Sequence, residues 1–158
     1  MNKKVTKLIA ALALLTFLAV PLGMWGQTTH TIGWGTASGD AGTYTNFTAT
    51  SGSVAHILSF STAKNDASNA PAYNANSKEL RLYSTSNGNG CSITITPDSD
   101  LTITQIVITA TSGYTSDVKY SVDGGTATAA TWSSNTCTIS GIEANTSLMV
   151  QNVKTGTQ

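Results

Sequence analysis

The side chains that could do chemistry in this sequence are few and scattered. His30 and His56 are the histidines, and His56 alternates with Val54 and Leu58 inside an apolar run, which reads as a strand histidine rather than a base or ligand. Glu79 and Glu143 are the glutamates, so a glycosidase-type carboxylate pair would have to recruit an aspartate, and no spacing selects one. No Gly-x-Ser-x-Gly elbow, His-Glu-x-x-His pair or phosphate-cradling loop occurs. Asp98 and Asp100 flank Ser99, and hard oxygen donors in a loop suit Ca²⁺. Two carboxylates two residues apart are, however, what an Asp-containing turn ahead of a strand also shows. The residues therefore predict no catalytic apparatus, no cofactor and a non-enzymatic chain.

Aromatic side chains are the better candidates for contact. Trp34, Tyr44, Tyr73, Tyr83, Tyr114 and Trp132 fall on or beside loops, or at outward strand positions. Sugar rings pack on such faces, because a rigid aromatic supplies contact area at little entropic cost. Arg81 and Tyr83 share an outward parity, with Tyr73 close enough in sequence to fold over them, so Tyr73, Arg81, Tyr83 and Trp132 form the candidate ligand-binding set. The competing reading is structural: tryptophans cap the core and tyrosines cover sheet edges.

Cys91 and Cys137 are the cysteines. Cys91, Ile93 and Ile95 share one strand face, as do Cys137 and Ile139, so the period of two turns both sulfurs inward. A bridge between them would close a loop of about 47 residues, worth roughly 4 kcal/mol in the chain-entropy model. Two buried thiols packed as small hydrophobes would satisfy the same pattern.

These residues are positioned by strands. From Thr28 onward no useful length shows helical apolar spacing; short β-rich runs alternate with turn residues, as in a sandwich or barrel. The runs are Thr29–Trp34, Thr43–Ala49, Val54–Ser61, Glu79–Ser84, Cys91–Thr96, Leu101–Ala110, Asp117–Val122, Thr136–Ser140 and Ser147–Val153. Ser51-Gly52-Ser53, Asn87-Gly88-Asn89-Gly90 and Asp123-Gly124-Gly125 are among the breaks, the last a hairpin turn. In Leu101–Ala110 the parity switches between Ile103 and Ile106. A β-bulge near Thr104–Gln105 would keep Leu101, Ile103, Ile106 and Ile108 inward, whereas a strand buried on both faces would also bury Val107. Residues 63–78 carry no periodicity and read as an exposed loop. Ending on Ser147–Val153 would leave an unpaired edge, which predicts a missing last strand.

The first 26 residues have the layout of a signal peptide. Lys3, Lys4 and Lys7 precede an apolar run from Leu8 to Val20, which Pro21 and Gly23 end. The run is too short to span a bilayer, which needs about 20 apolar residues. Cleavage after Gly26 gives an exported protein, extracellular, surface-held or periplasmic, whose domain covers residues 27–158 and has no stable membrane span. Eight basic and eight acidic residues balance in the whole chain, and losing the three lysines leaves a net charge of about −3. That balance argues against nucleic-acid binding, which needs a basic face.

The order Ala70-Pro71-Ala72-Tyr73, then Lys78–Tyr83, then Cys91–Thr96 and Leu101–Thr109, resembles a jelly-roll-like β-sandwich accessory module of exported Bacteroidetes proteins. The ending Trp25-Gly26-Gln27 is similar to exports of the same phylum. The resemblance implies no defined activity and brings no catalytic residues. It also implies a closing strand beyond the Val150–Gln158 segment. The expectation is an antiparallel β-sandwich with a structural or adhesive role beside neighbouring domains of a longer surface protein, or else a carbohydrate-binding module contacting glycans through its aromatics.

Overall fold

The computed structural model describes residues 38–39, 42–43, 51–54, 56–74 and 79–156. The leader, His30, Trp34, Tyr44, the strand expected over Thr29–Trp34 and all but the first residue of Thr43–Ala49 lie outside the described residues. Thirteen strands and no helix are described. They are β1 (Ser38–Gly39), β2 (Gly42–Thr43), β3 (Ser51–Val54), β4 (Leu58–Ala63), β5 (Ala72–Asn74), β6 (Glu79–Arg81) and β7 (Ser92–Pro97). Then come β8 (Ile103–Thr109), β9 (Val118–Val122), β10 (Thr128–Ala130), β11 (Trp132–Ser133), β12 (Thr136–Ala144) and β13 (Leu148–Asn152).

The fold is an all-β antiparallel sandwich. A six-stranded sheet, in the order β10-β9-β13-β7-β4-β3, lies against a three-stranded sheet, β11-β12-β8, with β5-β6 and β1-β2 as separate two-stranded pairs. The core is the alternation of both sheets read inward. Phe60, Ile93, Val118, Leu148 and Val150 come from the larger sheet, and Cys137, Ile139, Ile142 and Ala144 from β12. Leu80 and Leu82 pack against this cluster, as their shared parity requires, with Arg81 exposed between them. Cys91, one residue ahead of β7, and Cys137, in β12, are both fully buried free thiols, and the bridge is not formed. Cys137 belongs to the core cluster; Cys91 is instead in contact with the Asn69 carbonyl at 3.5 Å. Burial pushes both thiols up, away from the reactive thiolate.

Several expectations are corrected. The run Val54–Ser61 is not one strand: Ser51–Val54 pairs with Leu58–Ser61 as a hairpin, with Val54 opposite Leu58. His56 is thus at a hairpin tip, at φ 59° and fully exposed, not within a strand. In β8 the register against β12 breaks between Ser140 and Ala144, where Gly141 takes φ 69°. The irregularity therefore inserts residues into β12, opposite Ile103–Gln105. Ile103, Ile106 and Ile108 are half-buried, while Val107 is 55% exposed and Leu101 40%, so neither the inward Leu101 nor the doubly buried strand holds. Residues 63–78 contribute the short strand β5. β13 is no edge: it pairs with β7 on one side and β9 on the other.

The Asp123-Gly124 turn shows why a two-residue signal was legible. Asp123 (φ 48°) and Gly124 (φ 72°) are both left-handed, and Gly125 N–H donates to the Val122 carbonyl at 2.8 Å, a mirror-type hairpin turn. The Asp123 carboxylate then accepts from the backbone N–H groups of Ser147 (2.9 Å), Thr146 (2.8 Å) and Asn145 (3.1 Å), and from the Thr146 hydroxyl (2.9 Å). These donors, Ser147 first, hold its carboxyl far below the usual carboxylate range. A depressed folded pKa contributes stability above the unfolded value of about 3.9 and loses it as pH falls toward the folded value. Asp123→Asn is therefore expected to lower Tm at pH 7 and to flatten the fall of Tm between about pH 4 and 2. Unchanged acid slopes in parallel melts of the two proteins would remove this role.

Candidate functional site

Among the described residues, side-chain amides and a carboxylate converge around Gly90. The loop Asn87-Gly88-Asn89-Gly90 overlaps a turn closed by Gly88 N–H on the Thr85 carbonyl, with Gly88 at φ 76°. Asn87 Oδ1 accepts from the Thr85 hydroxyl (2.7 Å) and from Asn89 N–H (2.9 Å), a local bond that Asn makes readily in turns. Its Nδ2 reaches across to Asp66 Oδ2 at 2.9 Å, and Asp66 N–H donates to the Asn89 carbonyl at 3.1 Å. Asn65, at φ 49°, donates to the Gly90 carbonyl (2.7 Å) and to Ser92 Oγ (3.2 Å). From β13, Gln151 Nε2 donates to Asn89 Oδ1 (2.7 Å) and to the Gly90 carbonyl (3.2 Å). Hydrogen bonds from Asn89 and Asn87 draw the Asp66 carboxyl below its ordinary value. The result is a surface knot of side-chain amides and one carboxylate.

The Tyr83 segment joins the knot through its backbone. Arg81 is exposed and Tyr83 half-buried, and the Tyr83 carbonyl accepts the Cys91 N–H at 2.8 Å, directly beside Gly90. In the β5–β6 pair Tyr73 is opposite Leu80 and Ala72 opposite Arg81, so Tyr73 is not the register partner of Arg81. Trp132 is half-buried against the core in β11, where its indole N–H donates to the Ser116 carbonyl. A relay joins it to the Arg81–Tyr83 segment. The Ser116 hydroxyl donates to Asn152 Oδ1 at 2.8 Å, and Asn152 Nδ2 donates to the Leu82 carbonyl at 2.8 Å. Tyr114, two residues before Ser116, is 67% exposed.

The Asp98 loop is a different place. Asp98 N–H donates to the Ile57 carbonyl and Leu101 N–H to the Asp98 carbonyl, both at 2.9 Å, while Asp98 Oδ1 accepts Ser99 N–H at 2.8 Å. Its other oxygen is 3.9 Å from His56 Nδ1, and Ser99 Oγ is 3.4 Å from Asp100 Oδ1. This is a turn whose carboxylates serve local bonds. Among the described residues no three His, Cys, Asp or Glu gather as metal ligands.

Reasoning from sequence singled out Tyr73, Arg81, Tyr83 and Trp132 and did not single out Asn65, Asp66, Gln151 or Asn152. The Asn-Gly-Asn-Gly run marks a turn; which distant amides meet it depends on strand order. No protein-family model, curated protein or solved structure matches the chain.

Proposed function

We propose that this chain is a non-catalytic β-sandwich module of an exported Bacteroidetes protein, with a structural or adhesive role. The observation that supports this most directly is the chemistry of its flat outer faces. Hydroxyl side chains line up across strands: Ser53, Ser59 and Thr96 form one row of the large sheet, and Ser133, Thr136 and Thr109 one row of the small sheet. Cross-strand Ser/Thr pairs stabilise a sheet by about 0.2–1 kcal/mol each and leave a hydrated, uncharged surface. Such a surface suits a spacer or contact module more than a cleft for reacting a substrate. Trp132 fits the same reading, since its indole is tied to Ser116 and its ring to the core.

The amide knot favours a second reading, glycan binding, because side-chain amides and a carboxylate match the hydroxyls of sugars. One comparison separates the two. The structural reading expects Trp132→Ala to cost about 2 kcal/mol of stability, Tyr83→Ala to cost less, and calorimetric titration of the unmodified protein with soluble polysaccharides to give no heat. Polysaccharide binding that Tyr83→Ala abolishes at unchanged Tm would replace it with the glycan reading.

A further inference from the structure

Among the described strands, β8 is the longest with a neighbour on only one side. It has seven residues, against four in β3, three in β10 and two in β11 at the other sheet edges. An open edge is a row of unpaired N–H and C=O groups, and proteins that remain single blunt it with lysines, prolines or short strands. β8 has none of these: Ile103–Thr109 contains no charge and no proline. At the middle of its regular half stands Val107, 55% exposed on a face otherwise made of Gln105 and Thr109.

From this edge we infer that two copies of the chain associate by antiparallel pairing of β8 with β8. The register is strongly restricted. Residues directly opposite each other in a sheet point to the same face, so a two-fold axis must pass through a residue rather than between two. The break in register opposite Ile103–Gln105 disfavours the first half of the strand, leaving Gln105–Thr109. Its centre is Val107. Val107 then opposes its own copy, Ile106 opposes Ile108, and Gln105 opposes Thr109. Apolar meets apolar and polar meets polar at every position, and half-buried Ile106 and Ile108 continue one core into the next. The two three-stranded sheets become one of six strands, β11-β12-β8-β8-β12-β11. Five paired residues a side make a small interface, so association is weak and concentration-dependent.

The test uses the full chain as exported by its host. Sedimentation equilibrium is expected to show a monomer–dimer equilibrium. Val107→Lys and Val107→Glu should each be monomeric, because like charges then meet at the axis, and mixing the two should restore a dimer. Since Val107 is exposed, both should keep the parent Tm. Val107→Cys should cross-link to a covalent dimer with a short bifunctional thiol reagent, the opposed Cβ atoms being about 5 Å apart. A monomeric parent chain with no cross-linking at position 107 would overturn the inference, whether another segment of the chain or water covers β8. A dimer that survives both charge variants would also overturn it, by locating the interface elsewhere.

Discussion

Gly90→Ala is expected to destabilise the domain by about 3 kcal/mol or more, at or beyond the upper end of what an added core methyl costs. A Cβ at this position would lie 2.5 Å from the Tyr83 carbonyl oxygen, 2.6 Å from the Asn152 carbonyl oxygen and 3.1 Å from Ser84 Cα. All three are backbone atoms. The Tyr83 oxygen is fixed by Cys91 N–H and the Asn152 oxygen by Gly90's own N–H at 3.1 Å, so relief would require breaking the bonds that join the 83–92 segment to β13. In a domain of this size such a loss lowers Tm by roughly 10 °C or more. Gly113 provides the contrast. It adopts φ 84° but has open space around it, so Gly113→Asn, a residue that tolerates left-handed backbone, should leave Tm nearly unchanged. Thermal melts of the two variants give the comparison. A Gly90→Ala protein melting within about 3 °C of the parent would mean that the Gly90 junction yields easily.

Strand positions in the middle of the chain were legible because alternation there is driven by the core. Cys91, Ile93 and Ile95, and likewise Cys137 and Ile139, face inward as period two requires. The Asp123-Gly124 turn was legible because its backbone demands left-handed residues. Hairpin boundaries were harder. Ser51-Gly52-Ser53 has turn composition yet forms an edge strand, held by its pairing with β4 rather than by propensity. His56 looked like a strand residue because Val54 and Leu58 flank it two residues away on either side. In fact that spacing is also that of a three-residue hairpin loop, with Val54 and Leu58 paired across it. Strand order lay beyond local pattern altogether. Ser147–Val153, expected at an unpaired edge, instead holds β13, which inserts between β7 and β9; among the described strands β8 is the longest at a sheet edge.

The candidate site divides the same way. The exposure of Arg81 could be read from parity, since Leu80 and Leu82 must face the core. The anchoring of Trp132 and the register position of Tyr73 could not, because they depend on Trp132 meeting Ser116 across sixteen residues and on the β5–β6 pairing. Parity agrees with the burial of both cysteines, yet a bond also needs adjacency: Cys137 is in the core cluster, whereas the Cys91 sulfur is against the Asn69 carbonyl.

Asn152→Leu is expected to cost about 3 kcal/mol, because it strands several partners at once. Asn152 stands in the inward row of β13 with Leu148 and Val150 and is itself buried. A leucine of similar volume would suit that row if shape and apolarity were all that mattered. The amide does more. It donates to the Leu82 carbonyl and accepts from the Ser116 hydroxyl and, at 3.1 Å, from Lys154 N–H. Removing it leaves an acceptor and two donors without that partner, and each buried polar group so orphaned costs about 1–3 kcal/mol, less where water can reach it. The relay also predicts a distant signature. Ser116 holds the Trp132 indole through its carbonyl, so releasing the Ser116 hydroxyl should shift Trp132 emission, read in a Trp34→Phe background after leader removal. Ser116→Ala should produce part of the same shift, and the two substitutions together should cost less than their sum, since they break one shared bond. Strict additivity and an unmoved emission spectrum would show that Asn152 acts only on Leu82 and Lys154, leaving the two ends of the sandwich uncoupled.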